Sequence, residues 1–195
     1  MTAFRLPLAL LVLLAVIAGV FWGSLAVFEA EARREAQARA RLYESTLEAE
    51  VGRYAHLPFV LSRDPFVIEG AVGGDLDGLN NRLRSFADRA ELDAIYLMDP
   101  SGLTVASSNA GFLGQNYGFR PYFQAALGGL QGRFYGIGAT TREPGYFIAD
   151  PVRDAEGTVK GVIAIKIDLG ALARDWAAGG ESVLVANADG DVLLA

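Results

Sequence analysis

Between Leu6 and Phe28 the chain carries no charged side chain, and its only strong helix breaker, Pro7, sits at the start of the run. Nothing else in the sequence constrains the fold as much, because so long an apolar run must lie in lipid or be removed. At about 1.5 Å per residue, a helix of this length crosses a hydrocarbon layer of roughly 30 Å with some tilt. Trp22 and Phe28 lie where an interfacial aromatic belt is expected. A cleaved signal peptide is the rival reading. The run exceeds an h-region of about 7–15 residues and no clear A-x-A site follows, so a retained span fits better. Arg33 and Arg34 flank the far side and only Arg5 the near side. Long domains translocate largely regardless of such charges, so the N-terminus is placed inside. Residues 1–28 are therefore expected to form a cytoplasmic N-terminus and transmembrane helix, with the remainder outside the membrane.

Glu29 to about Tyr54 is rich in Ala, Glu and Arg and free of Gly until Gly52, a helix composition. Leu42, Leu47, Val51 and Tyr54 give it an apolar face without a strict heptad. That face fits a solvated helix rising from the membrane, with a dimer seam as the alternative. Pro58 and the turn Ser62 to Phe66 kink or divide this long helix, assigned to residues 29–62. Beyond the loop GAVGGD, Leu79, Leu83, Phe86 and Ala90 mark an amphipathic helix. From Asp93 the period changes. AIYLMD reads as a strand, PSG as a turn and LTVASS as its hairpin partner. Arg120 to Leu127 reads as a short helix, with Pro121 in its first turn and Gly128-Gly129 at its end. Strands follow at Arg133–Ile137, Tyr146–Val152 and Lys160–Asp168, the last two joined by the turn DAEG. Five strands in hairpin order, with helices before and between, define a mostly antiparallel sheet in an α+β domain over residues 63–170.

Leu169 to Ala178 reads as a connecting helix. VLVANADGDVLLA then echoes AIYLMDPSGLTVAS: apolar strand, turn, apolar strand. Such self-similarity suggests a tandem unit whose start occupies residues 171–195. A single hairpin cannot bury its own apolar face, so the sequence is expected to be the N-terminal part of a longer protein.

A net charge of −6 argues against nucleic acid, whose phosphates require a basic face. The lack of Cys excludes a disulfide framework and thiol catalysis, and a single His leaves only carboxylates for any metal site. No P-loop, nucleophile elbow or paired metal ligands are present, so no catalytic residue and no cofactor is assigned.

What stands out is a set of polar groups within apolar strands: NYGFRPYF (Asn116 to Phe123), ATTREPGYF (Ala139 to Phe147) and Lys166 inside GVIAIKIDL. These could converge on something small and anionic. An anion held at two points needs a cationic group at each, and Arg offers a planar fork while Lys gives a point charge. If Ile163 and Ile165 mark one buried face, Ala164, Lys166 and Asp168 share the other, which is either a ligand face or a solvated outer face. Arg120 precedes Pro121 and is biased to extended geometry; its alternative is a surface Arg covering apolar side chains with its stem. Thr140 and Thr141 either bind ligand or close a local turn. Among the tyrosines, most of them core, Tyr117, Tyr122 and Tyr146 are assigned to the site. The turns at Asp99–Gly102 and Asp189-Gly190 are structural.

The order of span, long helix, hairpin, NYGFRPYF, ATTREPGYFIADPV and GVIAIKIDL resembles the double-Cache sensor region of C4-dicarboxylate-sensing histidine kinases of the DctB type. The similarity covers most of Leu42 to Asp168. It implies two stacked PAS-like units with ligand in the membrane-distal one, a second span, and a cytoplasmic kinase core that transfers phosphate from ATP to histidine. It also implies a homodimer in the bacterial inner membrane, with its sensor in the periplasm and a cytoplasmic response regulator as partner. By the same resemblance Arg120 and Lys166 would contact ligand carboxylates, and Thr140 and Thr141 would form a hydroxyl pair. Tyr117, Tyr122 and Tyr146 would wall the pocket, with Ser108 and Asn109 at its rim. The chain departs from the pattern at Ala110, where an aromatic is common, and at Ala139, where a hydroxyl is common; ligand choice within the class stays open. A chemoreceptor, a diguanylate cyclase or a non-signalling anchored solute-binding module are the alternatives for the same sensor.

Overall fold

The computed structural model describes residues 5–178, 183, 185–186 and 192–194; the side chains of residues 5–13, 15, 16, 18, 171–173, 175, 186 and 192–194 lie outside that description. The chain divides into two units, Met1–Glu50 and Val51–Ala195.

Helix α1, Arg5–Tyr54, makes up the first unit and ends in the second. Among the described residues no helix is long and apolar enough to cross a membrane. Of the span expected over residues 6–28, the side chains of residues 6–13, 15, 16 and 18 lie outside that description. Those that are described in its second half, Val20, Phe21, Trp22, Val27 and Phe28, are exposed along the helix.

In the second unit the chain breaks where the prolines require it. α2 (Leu57–Leu61) and α3 (Pro65–Ala71) each carry Pro at their first turn, where a missing N–H costs nothing. The Asp64 carboxylate accepts from the Phe66 N–H and starts α3. α4 (Leu76–Ala90) begins the same way, Asp75 accepting from Gly78 N–H at 3.0 Å, and stops at Glu91, which adopts left-handed φ of 54°. Removing this cap in Asp75→Ala is expected to lower stability by about 1 kcal/mol, read from chemical unfolding. The buried stripe of α4 is Leu79, Leu83 and Ala87. The expectation that Phe86 and Ala90 belong to it is corrected: Phe86 lies on the shoulder of the helix, exposed, with the Arg82 guanidinium 5.6 Å above its ring.

The strands are β1 (Ala94–Met98), β2 (Thr104–Ser107), β3 (Gly132–Ile137), β4 (Pro144–Arg153) and β5 (Val159–Asp168), with α5 (Pro121–Leu127) between β2 and β3. They form one antiparallel sheet of five strands in the order β2-β1-β5-β4-β3. Hairpin succession accounts for β1–β2 and for β3–β4–β5. The two blocks join through β1 against β5, a pairing that no turn announces.

Alternation along the strands gives the sheet two buried faces. Ile95, Leu97, Ile148, Ile163 and Ile165 share one, on the side of α2, α3 and α4; Gly70 of α3 lies so close that an added Cβ would stand 3.4 Å from Leu97. Ala94, Tyr96, Phe147, Ala149, Val162 and Ala164 share the other, under α5 and the segment that holds Phe112 and Tyr117. A sheet covered on both faces explains why β1 and β5 read as nearly continuous apolar runs. It also makes Lys166, on the central strand of this second face, conspicuous.

After β5, α6 spans Gly170–Ala178. β6 (Val185–Ala186) and β7 (Val192–Leu194) pair antiparallel as a separate two-stranded sheet. The intervening turn at Asp189-Gly190, and with it most of the segment read as the start of a second unit, lies outside the described residues.

Candidate functional site

Lys166 sits opposite Ala94 on β1 and Phe147 on β4 and is fully buried, at 0% exposure. Its face of the sheet is therefore interior and not a solvated outer surface. The stem fits because β4 has Gly145 beside it: a Cβ there would stand 2.8 Å from Lys166 Cε. A buried ammonium requires partners. Nζ donates to Thr141 Oγ1 at 2.8 Å and forms an ion pair with Asp93 Oδ2. Asp93 is tied to the same strand a second time, its N–H donating to the Lys166 carbonyl at 3.1 Å.

The β3–β4 connection supplies the hydroxyls. Across residues 138–143 the Gly138 N–H donates to Glu143 O at 2.8 Å and the Arg142 N–H to Gly138 O at 3.0 Å, with Arg142 at φ 61°. This tight loop holds Thr140 and Thr141 in different directions. Thr141 accepts from Lys166, while Thr140 shares a short hydroxyl–hydroxyl bond with Tyr117.

Arg120 takes the extended conformation (φ −77°, ψ 137°) that Pro121 imposes, and caps α5 from outside the helix. Its Nη2 donates to the Ile137 carbonyl at 2.8 Å, and the guanidinium lies 5.1 Å from the Phe119 ring centroid and 5.4 Å from that of Phe134. One carbonyl engages only part of a five-donor fork.

Three phenols gather near this charge. Tyr117 packs on Tyr96 at 5.5 Å and on Phe112 at 6.1 Å between ring centroids. Tyr122 stacks parallel on Phe147 at 5.2 Å, and its hydroxyl bonds that of Tyr96 at 2.8 Å. Burial pushes all three phenols above their ordinary pKa, and the Arg120 charge pulls each partly back; for Tyr117 the Thr140 hydroxyl and for Tyr122 the Tyr96 hydroxyl do the same. Each is neutral at physiological pH and keeps a hydroxyl that can donate as well as accept.

The structure thus gathers Arg120, Lys166, Thr140, Thr141, Tyr117 and Tyr122 around one sheet face and one loop. Three residues assigned from the sequence are placed differently. Tyr146 pairs in register with Ile167 and Tyr135, one position off Phe147, so its side chain is on the opposite face from Lys166 and packs on the Tyr135 ring at 6.0 Å. Ser108 extends the β2 ladder: its Oγ accepts from the Ile95 N–H at 2.9 Å. Asn109 is exposed, its Oδ1 accepting from the Gly111 N–H at 2.9 Å to start a 3-10 turn over Ala110–Phe112. Sequence reasoning missed Asp93 and Tyr96. Tyr96 looked like any aromatic in a buried strand. Asp93 looked like an ordinary polar residue before one, and only the β1–β5 register reveals its partner. Among the described residues no group of three or more His, Cys, Asp or Glu could hold a metal ion.

This sheet, with helices on one face and a polar loop folded over cationic groups on the other, is the fold of a PAS-like sensor domain of the Cache type. No protein-family model matches the chain. Over 162 residues it is 35% identical to the C4-dicarboxylate transport sensor protein DctB of Rhizobium meliloti (strain 1021), a match over 80% of this chain and 26% of that protein. The chain therefore spans about a quarter of the length of that relative. The sensor domain of the V. cholerae histidine kinase DctB superposes with a TM-score of 0.69 at 30% identity, over 73% of this chain and 58% of that one. The chain carries a DctB-type sensor region. The ligand-binding domain of the Pseudomonas aeruginosa PAO1 amino acid chemoreceptor PctC, in complex with GABA, shares the fold alone: TM-score 0.59 at 22% identity, over 80% of this chain and 72% of that one.

Proposed function

We propose that this chain is the extracytoplasmic sensing region of a transmembrane histidine kinase, and that it binds C4-dicarboxylates or similar small carboxylates between Arg120 and Lys166. The observation that carries the reading is Lys166: a lysine buried on the central strand of the sheet, near its C-terminal end, under a loop that turns a threonine hydroxyl onto it. A lysine placed only for packing would be replaced at less cost by an apolar residue. Arg120 supplies the second cation, its Nη2 donating to the Ile137 carbonyl and the rest of its fork unengaged by protein among the described residues, and neutral Tyr117 supplies a hydroxyl close to Thr140. Residues 63–170 would form the ligand-binding domain and residues 171–195 the connector and start of a second unit.

The uncharged run over residues 6–28 and the exposed apolar side chains in its second half support an anchor in the bacterial inner membrane, with the sensing unit in the periplasm. A homodimer, a kinase core and a cytoplasmic response regulator complete this reading. Signalling then requires only that ligand favour one of two arrangements over the other. Calorimetry on the chain in detergent tests the binding step: succinate, fumarate or malate is expected to give saturable heat and to raise the melting temperature. Absence of both with every C4-dicarboxylate and related acid would defeat it. The fold shared with the PctC domain keeps a chemoreceptor as the second reading of the output. Reading the coding frame past Ala195, into a kinase core or a methyl-accepting helical region, separates the two.

A further inference from the structure

Among the described residues, Asp93 is the acidic side chain that pairs with a cation of this site. We propose that Asp93 is a built-in competitor that sets the affinity and charge selectivity of the site by occupying the anion position on Lys166; the inference rests on the reading that the site binds carboxylates. Lys166 has three N–H donors. One goes to Thr141 Oγ1 and one to Asp93 Oδ2. A ligand carboxylate that reaches Nζ must either share it with Asp93, bringing two negative charges together, or displace Asp93.

Displacement is open to Asp93 and closed to Lys166. The lysine side chain is 1% exposed, whereas that of Asp93 is 21% exposed and retains contact with water. The aspartate stands just ahead of β1, so its carboxylate can turn outward and rehydrate without unpairing the strand. With Asp93 in place, the two cations of the site keep one positive charge in excess. With Asp93 displaced or removed they match a dianion. The residue thus holds down affinity for dicarboxylates and narrows their advantage over monocarboxylates. A mere positioning role, in which Asp93 aims Lys166 at the ligand, predicts the opposite sign on removal.

Asp93→Asn keeps the shape of the side chain and deletes its charge. In the full chain in detergent, calorimetry is expected to show succinate bound at least about tenfold more tightly than by the unsubstituted chain, the relief of a modest like-charge repulsion. Butyrate, a monocarboxylate of the same length, is expected to gain less, and the gain for succinate is expected to disappear when Lys166→Met is combined with Asp93→Asn. Asp93→Ser serves as a second variant should the first fold poorly. Succinate bound equally or more weakly by a folded variant overturns the proposal. So does failure of both variants to fold, which would make Asp93 a structural counter-ion. If neither the unsubstituted chain nor any variant binds a dicarboxylate, it is the carboxylate reading of the site that fails, and the proposal falls with it.

Discussion

Lys166→Met is expected to weaken succinate binding at least about thirtyfold while leaving the domain folded. The factor follows from losing one charged partner of a bound carboxylate, which costs roughly 2–5 kcal/mol when the pair is desolvated. Stability is expected to fall, but by less than the roughly 3–5 kcal/mol that stranding one member of a fully buried pair costs, because an apolar chain of similar volume takes the place of the ammonium. Asp93, left behind, retains water contact and is not stranded. Thr141 loses a donor but lies in a loop that its backbone bonds already close. The measurement is calorimetry beside a melting curve. A folded variant with unchanged affinity would reduce Lys166 to a counter-ion of Asp93 and move the ligand contact elsewhere.

The split between affinity and stability shows why the site was legible in the sequence to different degrees. Strand period, Asp-Gly turns and prolines at helix starts are local, and they placed β1 to β5, α4 and α5 within a few residues. Lys166 was legible because a charge in the middle of GVIAIKIDL violates the apolar pattern around it, and Arg120 because a proline follows it. Sheet order was not. β1 pairs with β5 across all of the chain that holds β2, α5, β3 and β4, and the sequence carries no turn for that contact. Asp93 was hidden for the same reason, since its partner Lys166 lies on β5, far along the chain. Tyr146 misled through proximity: it adjoins Phe147, and one step along a strand reverses the face. Ser108 and Asn109 are polar beside the site, yet their oxygens go to backbone N–H groups, as short hydroxyl and amide side chains do at strand ends and turns.

Arg120 is expected to show whether the second contact depends on charge or on shape. Arg120→Ala should lower succinate affinity at least about thirtyfold, by the same cost of removing a charged partner. Arg120→Lys keeps the charge and loses the planar fork. One Nη of that fork is anchored on the Ile137 carbonyl and the guanidinium lies near the rings of Phe119 and Phe134, so its plane is fixed before ligand arrives. A lysine at this position has no comparable anchor and offers a point charge. If recognition is bidentate, the lysine variant recovers little of what alanine loses and the two affinities lie within about tenfold of each other. If long-range attraction dominates, lysine restores nearly full binding, and the remaining affinity falls steeply with added salt. The phenols give an independent check that the charge is gone. Arg120 pulls the pKa of Tyr96, Tyr117 and Tyr122 down against the upward push of burial. Arg120→Ala should therefore move the most accessible of these titrations to higher pH in an ultraviolet difference spectrum, and Arg120→Lys should move it less. Normal succinate binding by a folded alanine variant would remove Arg120 from the site and leave Lys166 as its cation.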